Sequence, residues 1–395
     1  MLLWLLERLP LPQTAAWAKI TLRASLAALA AFLLALWLGP RLIAWLRRRF
    51  REPNTSPSPD IERLHQAKHS TPTMGGLFIV AGLIGGAAIF GDLANRYLLL
   101  AVLLAVGLAA IGAADDLIKL RALARGLSAR RKLLAQTAVA TLVAVLLYQV
   151  HAQTPDGLTL RLPLTDASLP LGLWFIPLAV LVIIGSSNAV NLTDGLDGLA
   201  GGCLIFAAGA MTVVVYVAGH AELAEYLHVP RIPGSGEMTV LAAAMIGAVL
   251  GFLWFNCHPA QVFMGDTGAL PLGGLLGMLA LVARQELLLV CIGGVFVAEA
   301  LSVILQVVAH RWRRRRIFLC APLHHHFQLK GWAESKIVVR FWIAAALCAL
   351  VGLAGLKINV KEPTRRMEMA DGRWQMEDGR LQKADFRFQI ADDSN

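Results

Sequence analysis

The chain has 395 residues, of which 57% are hydrophobic and only 16% are charged, and its mean hydropathy is +0.62. Because an ordinary soluble domain carries about 25% charged residues, this composition argues against a soluble enzyme, a disordered chain and a collagen-like fibre. The net charge of +10 suggests a nucleic-acid binder, but the basic residues are concentrated in a few loops between apolar segments. The sequence therefore predicts an all-α, polytopic integral membrane protein.

Apolar segments recur along almost the whole chain, and a helix needs about 20 such residues to cross a bilayer. We predict ten spans, near residues 22–45, 74–92, 97–114, 132–150, 172–190, 199–219, 238–256, 268–283, 286–310 and 337–356. The eighth is short and glycine-rich, which makes it the least typical. Residues 1–360 are predicted to form a single transmembrane domain, and 361–395 a polar C-terminal tail with no assigned role.

The distribution of lysine and arginine predicts the orientation of these spans. The loops after the first, third and ninth spans hold twenty basic residues, whereas the opposite loops hold four. Because short cytoplasmic loops carry the excess of basic residues, we expect the three basic loops in the cytoplasm and both termini outside it. The glycine patterns at 82–86 and 273–277 favour close helix packing inside the chain, although a homodimer interface is also possible.

Two polar motifs occupy the first two basic loops. Lys68–Gly76 leads into the second span, where a lysine, hydroxyls and helix N–H groups could hold an anion, although a Thr-Pro helix start needs no ligand. Asp115 and Asp116 end the third span, and negative charge is unfavourable at a helix C-terminus. Either a cation compensates these acids, or they form a solvated pair bridged to Lys119.

Two further acidic motifs follow, at 188–198 and 256–268. In the first, Asp194 and Asp197 would share a face if the turn were helical, and the glycines would let a ligand approach the backbone. In the second, Asp266 stands between glycines at the entry to the eighth span. Either segment alone could be a capped turn between helices.

A histidine motif, His324–His326, follows the arginine-rich run after the ninth span. Consecutive residues point in different directions, so the three rings cannot chelate one metal together; phosphate or sugar oxygens are better partners. Within the ninth span, Glu299 and Gln306 lie on one stripe, and a buried acid in a span is a functional candidate. The alternative for each motif is a polar contact without a ligand.

Together, acids on three loops with basic flanks predict a Mg²⁺ site whose coordination shell is completed by diphosphate oxygens. Lysines and histidines would neutralise the remaining phosphate charge. A transporter would instead place its polar site near the middle of the membrane, on broken helices. We therefore favour an enzyme that joins a water-soluble substrate to a lipid at one membrane face.

Five motifs carry a resemblance to a known family, at 71–76, 115–116, 191–198, 263–268 and 324–326. In this order and topology the chain resembles the phospho-N-acetylmuramoyl-pentapeptide-transferases of the polyprenyl-phosphate N-acetylhexosamine-1-phosphate transferase superfamily. The resemblance implies ten transmembrane helices, Mg²⁺, a bacterial inner-membrane location with the active site on the cytoplasmic face, and often a homodimer. It implies transfer of phospho-MurNAc-pentapeptide from UDP-MurNAc-pentapeptide to undecaprenyl phosphate, giving lipid I and UMP.

The resemblance also implies residue roles. Asp266 would be the metal ligand, and the catalytic candidates are Asp115, Asp116, Asp266 and His324. The expected substrate contacts are Lys68, Thr73, Lys119, Lys132, Asn188, Asn191, Asp194, Asp197, Asn256, Phe263, Gln306, His325 and His326. The alternatives are a related enzyme that loads GlcNAc-1-phosphate onto the same lipid, and a transporter of an anionic solute.

Overall fold

The structure, a computed structural model, describes residues 19–49, 71–122, 126–154, 156–162, 168–227, 229–358, 376–377 and 380–381. The helices are α1 (Ile20–Arg49), α2 (Gly76–Phe90), α3 (Arg96–Ala122), α4 (Ala129–His151), α5 (Phe175–Thr193), α6 (Leu199–Gly219), α7 (Ala221–Tyr226), α8 (Glu237–Asn256), α9 (Asp266–Ala283), α10 (Glu286–Ile292), α11 (Gly294–Arg313), α12 (Leu323–Leu329) and α13 (Glu334–Ile358). Among the described residues, nine of these helices are long and apolar enough to cross a membrane. The predicted all-α, multi-pass architecture is confirmed.

Sheet is confined to two short hairpins in the described part of the chain. Strand β1 (Thr159–Arg161) pairs antiparallel with β2 (Ser168–Pro170), with Leu160 opposite Leu169. The chain divides into two units, residues 1–359 and 360–395. In the second unit, β3 (Met376–Glu377) pairs with β4 (Arg380–Leu381).

Two predicted spans differ from the observed helices. The second predicted span corresponds to the apolar helix α2. It has 15 residues and is shorter than each of the nine helices that are long enough to cross a membrane. The ninth was predicted to begin at residue 286, which is wrong: the helix is interrupted at Gly293, and the span-length helix runs from Gly294 to Arg313. Glycine weakens a helix because it loses more backbone freedom than any other residue on folding.

Helix α9, the glycine-rich eighth predicted span, lies at the centre of the bundle. Its whole length is buried, against α3, α5 and α6. A Cβ added at Gly273 would meet the carbonyl oxygen of Ser186 on α5, and one at Gly82 on α2 would meet that of Ala31 on α1. Both glycine patterns therefore serve helix packing within the chain, and α9 contacts protein where other spans face lipid.

At one end of the bundle, a buried ion pair joins the starts of α1 and α8. Arg23 donates to both carboxylate oxygens of Glu237, with N–O distances of 2.5 and 2.9 Å. The remaining contacts of this pair are to backbone, since Arg23 also donates to Phe90 O and Glu237 accepts from Asp92 N. This network ties α2 to the same two helices, at the end of the bundle opposite the acidic motifs.

Candidate active site

Three buried carboxylates come together between the C-terminal part of α3 and the start of α9. Asp115 and Asp116 do not lie at a helix C-terminus, as the sequence predicted, because α3 continues to Ala122. Asp115 and Asp116 are each 2% exposed and Asp266 is 6% exposed. One oxygen from each of the three lies within 4.8 Å of the other two. The acidic pair and the acid between glycines, separated by 150 positions in the sequence, therefore form a single centre.

Both carboxylate oxygens of Asp116 accept hydrogen bonds from the first turn of α9. One carboxylate oxygen accepts from Asp266 N at 3.3 Å, and the other accepts from Thr267 N and Thr267 Oγ1 at 3.0 and 2.7 Å. A helix N-terminus has unpaired N–H groups and favours a negative charge. Asp116 therefore fixes the backbone that carries Asp266, and Thr267 is a site residue that the sequence analysis missed.

Two lysines neutralise most of the charge of this centre. Lys119 Nζ lies 2.8 Å from Asp115 Oδ2 and 3.1 Å from Asp266 Oδ2, and Lys132 Nζ lies 2.5 Å from Asp266 Oδ2. Asp115 also accepts from Leu127 N at 2.6 Å. The sequence analysis offered a solvated acid pair bridged to Lys119 as an alternative. The bridge to Lys119 is present, but the acids are buried and not solvated. With all groups ionised, three carboxylates and two ammonium groups leave one net negative charge.

Two glycines allow this convergence. A Cβ at Gly112 on α3 would overlap the backbone of Asp266, so α3 and α9 can approach only without a side chain there. Gly265 has a φ of +70°, a conformation that favours glycine, and a Cβ there would meet Asp116 Oδ2 and Thr73 Oγ1. Thr73 thus lies beside the centre.

The segment before α2 pairs with the segment before α9. Phe263 N donates to Pro72 O, and the amides of Gly75 and Gly76 donate to Phe263 O and Met264 O, each at 2.8 Å. The sequence analysis offered this helix start as an anion site, but these two amides are occupied by the protein itself. The pairing instead fixes the loop that carries Asp266. Lys68 lies outside the described residues.

Asp194 and Asp197 of the 188–198 motif have separate partners. Residues 194–198 form turns rather than a helix, so the two acids do not share a helical face. Asp194 accepts from Gly265 N, next to the carboxylate centre. Its burial raises the pKa of Asp194 to about 7, and the negative charges of Asp266 and Asp116 act in the same direction.

Asp197 belongs to a second cluster, with His258 and Glu334. Its Oδ2 accepts from Ala260 N at 3.1 Å and lies 3.2 Å from His258 Nδ1, while its backbone N–H donates to Glu334 Oε1 at 3.0 Å. The sequence analysis did not select His258 or Glu334 as site residues. Only the tertiary fold places the start of α13 beside this turn, so no sequence spacing could have indicated Glu334.

His324 is buried at the start of α12 and is held by Glu299 of α11. Its Nδ1 and its backbone N each lie 3.2 Å from Glu299 Oε1, and Leu323 N donates to Glu299 Oε2 at 2.7 Å. His324 Nε2 is buried and has no hydrogen-bond partner among the described residues. A Cβ at Gly195 would overlap that nitrogen, so the ring lies against the turn that follows Asp194.

The other two histidines have partners different from that of His324. His325 Nδ1 lies 2.8 Å from Gln328 Oε1, and His326 Nδ1 accepts from Leu319 N at 3.1 Å. Gln306 accepts from the amides of residues 317 and 318 and donates to the carbonyl of 318. His326 and Gln306 therefore hold the loop between α11 and α12.

Asn188 and Asn256, two of the expected substrate contacts, bond to the protein itself. Asn188 Nδ2 donates to Gln136 Oε1 at 3.0 Å, joining α5 to α4. Asn256 accepts from Gly198 N and donates to Val262 O, each at 2.9 Å. Asn188 therefore connects two helices, and Asn256 connects the two loops that contain Gly198 and Val262. The remaining candidates, Asn191 and Phe263, are partly exposed beside these turns.

The carboxylate centre has the chemistry of a divalent-metal site. Mg²⁺ prefers oxygen ligands and is commonly bound by one or two carboxylates together with substrate phosphates and water. Both oxygens of Asp116 already accept hydrogen bonds from α9. Asp115 and Asp266 bond mainly to lysine ammonium groups, so they are the residues that would hold the ion. Lys119 and Lys132 stand where they would compete with it or bind its phosphate ligands.

The similarity of this region to known proteins agrees with that chemistry. Residues 98–284 match the family model of glycosyl transferase family 4. The match runs from α3 to the end of α9, and so covers the three carboxylates, both lysines and the 188–198 turn. It supports the polyprenyl-phosphate hexosamine-1-phosphate transferase superfamily, and with it a nucleotide sugar and a polyprenyl phosphate as the kinds of substrate. His324 and Glu299 lie beyond the matched residues.

Proposed function

We propose that this protein is a phospho-N-acetylmuramoyl-pentapeptide-transferase. It moves phospho-MurNAc-pentapeptide from UDP-MurNAc-pentapeptide to undecaprenyl phosphate and releases UMP. The observation that carries the proposal is the buried centre of Asp115, Asp116 and Asp266 with its two lysines. The excess of basic residues in the loops at this end of the bundle supports a position on the cytoplasmic face of the inner membrane.

An apolar groove supports a lipid as the second substrate. The groove has a volume of about 560 Å³ and lies between α4 and α5, lined among others by Leu133, Thr137, Val180 and Ile184. Leu133 follows Lys132, whose ammonium group is bonded to Asp266. A polyprenyl chain in this groove would therefore place its phosphate beside the carboxylate centre.

The charges of the centre suit the diphosphate of a sugar nucleotide. Asp115 and Asp266 would hold a divalent cation, and Lys119 and Lys132, which lie on their oxygens, would contact the phosphate oxygens. A bound Mg²⁺ would supply Lewis-acid stabilisation of the charge that develops on the departing UMP. The lysines would add electrostatic stabilisation of the transferring group, which is the main catalytic contribution in phosphoryl transfer.

In the reaction, an oxygen of the lipid phosphate bonds to the sugar-bearing phosphorus. The bond from that phosphorus to the bridging oxygen breaks, and its electron pair leaves with UMP. A phosphate monoester has a second pKa near 6 and is mostly dianionic at neutral pH, so the nucleophile needs little help from a base. In this proposal Asp115 orients the nucleophile, and its contacts with Lys119 and Leu127 N support that role.

The competing route begins with attack by Asp115 or Asp116 and passes through a phosphorylated aspartate. Three hydrogen bonds hold the two oxygens of Asp116 against α9, which disfavours its movement towards phosphorus. We therefore favour direct attack by the lipid. Trapping a phosphorylated aspartate in a single turnover would overturn this preference.

The test is release of UMP by the purified protein in detergent. Undecaprenyl phosphate is supplied with UDP-MurNAc-pentapeptide or with UDP-GlcNAc, each with Mg²⁺ and with EDTA. We expect Mg²⁺-dependent UMP and lipid I from the muramoyl substrate only. Activity with UDP-GlcNAc alone would identify the related GlcNAc-1-phosphate transferase and overturn the proposal. Uptake of a nucleotide sugar into proteoliposomes without UMP release would identify a transporter.

A further inference from the structure

Glu299 lies in a membrane-spanning helix and is 0% exposed. Both oxygens of its carboxylate contact the start of α12. Its two oxygens receive the amides of Leu323 and His324 and face His324 Nδ1, at 2.7 to 3.2 Å. A buried carboxylate is costly unless hydrogen-bonded donors surround it. All of the donors described here come from the start of α12, so Glu299 sets both the position of that helix and the rotation of the His324 ring.

The other nitrogen of the same ring lies against the turn that follows Asp194. His324 Nε2 is buried without a hydrogen-bond partner among the described residues and lies against Gly195. The preceding residue, Asp194, accepts from Gly265 N, beside Asp266. A buried polar nitrogen without a partner costs free energy, so its presence at this place indicates a ligand atom that completes it.

We propose that Glu299 is the positioning residue of His324. By accepting from Nδ1, Glu299 fixes that nitrogen as the donor and directs Nε2 at an anionic oxygen of the substrate diphosphate. Nε2 donates to the phosphate in the doubly protonated ring, in which both nitrogens carry a proton. This inference rests on the proposed transferase function and adds to it a residue outside the region matched by the family.

The experiment is a double-mutant cycle of Glu299→Gln and His324→Gln, read as kcat and KM for UMP release. An amide has a single acceptor oxygen, so E299Q cannot receive all three donors. We expect E299Q to lower kcat by about 10- to 100-fold, the usual effect of losing a residue that orients a functional histidine, with little change in KM. If Glu299 acts through His324, adding E299Q to H324Q lowers kcat no further.

The matched control is Glu286→Gln, which removes a buried carboxylate of the same kind in α10. Glu286 lies beyond the far end of the 18-residue helix α9, about 27 Å from Asp266 by helix length. E286Q is expected to keep kcat within about twofold of the unmodified protein. Glu299→Asp, which retains the charge but is one methylene shorter, is expected to recover part of the activity that E299Q loses.

Folding is checked by thermal unfolding and size-exclusion chromatography of each variant. If E299Q does not yield folded protein, the cycle is run with E299D in its place. Losses that multiply in the double variant, or an E299Q variant as active as E286Q, would overturn the inference. Failure of the unmodified protein to release UMP from any sugar nucleotide would overturn the proposed function instead, so the two failures are distinguishable.

Discussion

Lys132 and Asp266 form an ion pair with 2.5 Å between Nζ and Oδ2, which joins the first turn of α4 to the first residue of α9. Leu133, the residue after Lys132 on α4, lines the apolar groove between α4 and α5. The ion pair therefore links the proposed binding place of the lipid with that of the diphosphate.

Replacing Asp266 by Asn is expected to abolish most of the transferase activity. The change removes the charge of one of the two carboxylates that we assign to a cation and weakens the contact with Lys132. We expect kcat for UMP release to fall by at least about 100-fold, the usual range for losing one strong electrostatic contact at a reacting centre. Glu286→Gln is the control, and near-normal turnover of D266N would exclude Asp266 from the centre.

Lys132→Gln is expected to lower kcat/KM by about 10- to 100-fold through the loss of a charge-assisted contact to phosphate. Arg131→Gln provides a matched comparison, because Arg131 is adjacent in the same helix but exposed. Steady-state kinetics of both variants should show a large effect at 132 and little at 131. Equal losses would mean that only the overall basic charge of this surface matters.

Gly112→Ala is expected to separate α3 from α9, because the added methyl overlaps the backbone of Asp266. Overpacking of this kind costs about 1 to 3 kcal/mol, and activity should fall with it. Gly185→Ala in α5 is the control, since nothing lies within 4 Å of a Cβ there; removing a helical glycine should leave stability unchanged or raise it. Thermal unfolding and UMP release measure both effects, and a fully stable, active G112A would contradict the close contact.

Arg23→Met is expected to destabilise the protein without changing the activity of the molecules that remain folded. It leaves the Glu237 carboxylate buried without a counter-ion, which costs about 3 to 5 kcal/mol. The double variant Arg23→Met/Glu237→Gln should recover much of the lost thermal stability. A double variant less stable than R23M alone would mean that the ion pair is not the source of the loss.

The sequence predicted the architecture and the chemistry of the centre because both depend on local patterns. Hydropathy located the spans, and the acids in the C-terminal part of α3 and at the start of α9 were recognisable as charges beside apolar runs. It placed the start of the ninth span wrongly, because one glycine interrupts a continuous apolar run. It also could not show that Asn256 and Gln306 bond to nearby backbone or that Glu299 holds His324, because these contacts depend on tertiary structure.

The hydrogen bonds of Asp116 to Asp266 N and Thr267 have a consequence for genetic experiments. The same carboxylate belongs to the proposed reaction centre and anchors the start of a helix that is buried along its whole length. A cell-based selection that scores survival will therefore combine misassembled and inactive protein when residue 116 is varied. Protein abundance in the membrane must be measured in parallel before such phenotypes are attributed to chemistry.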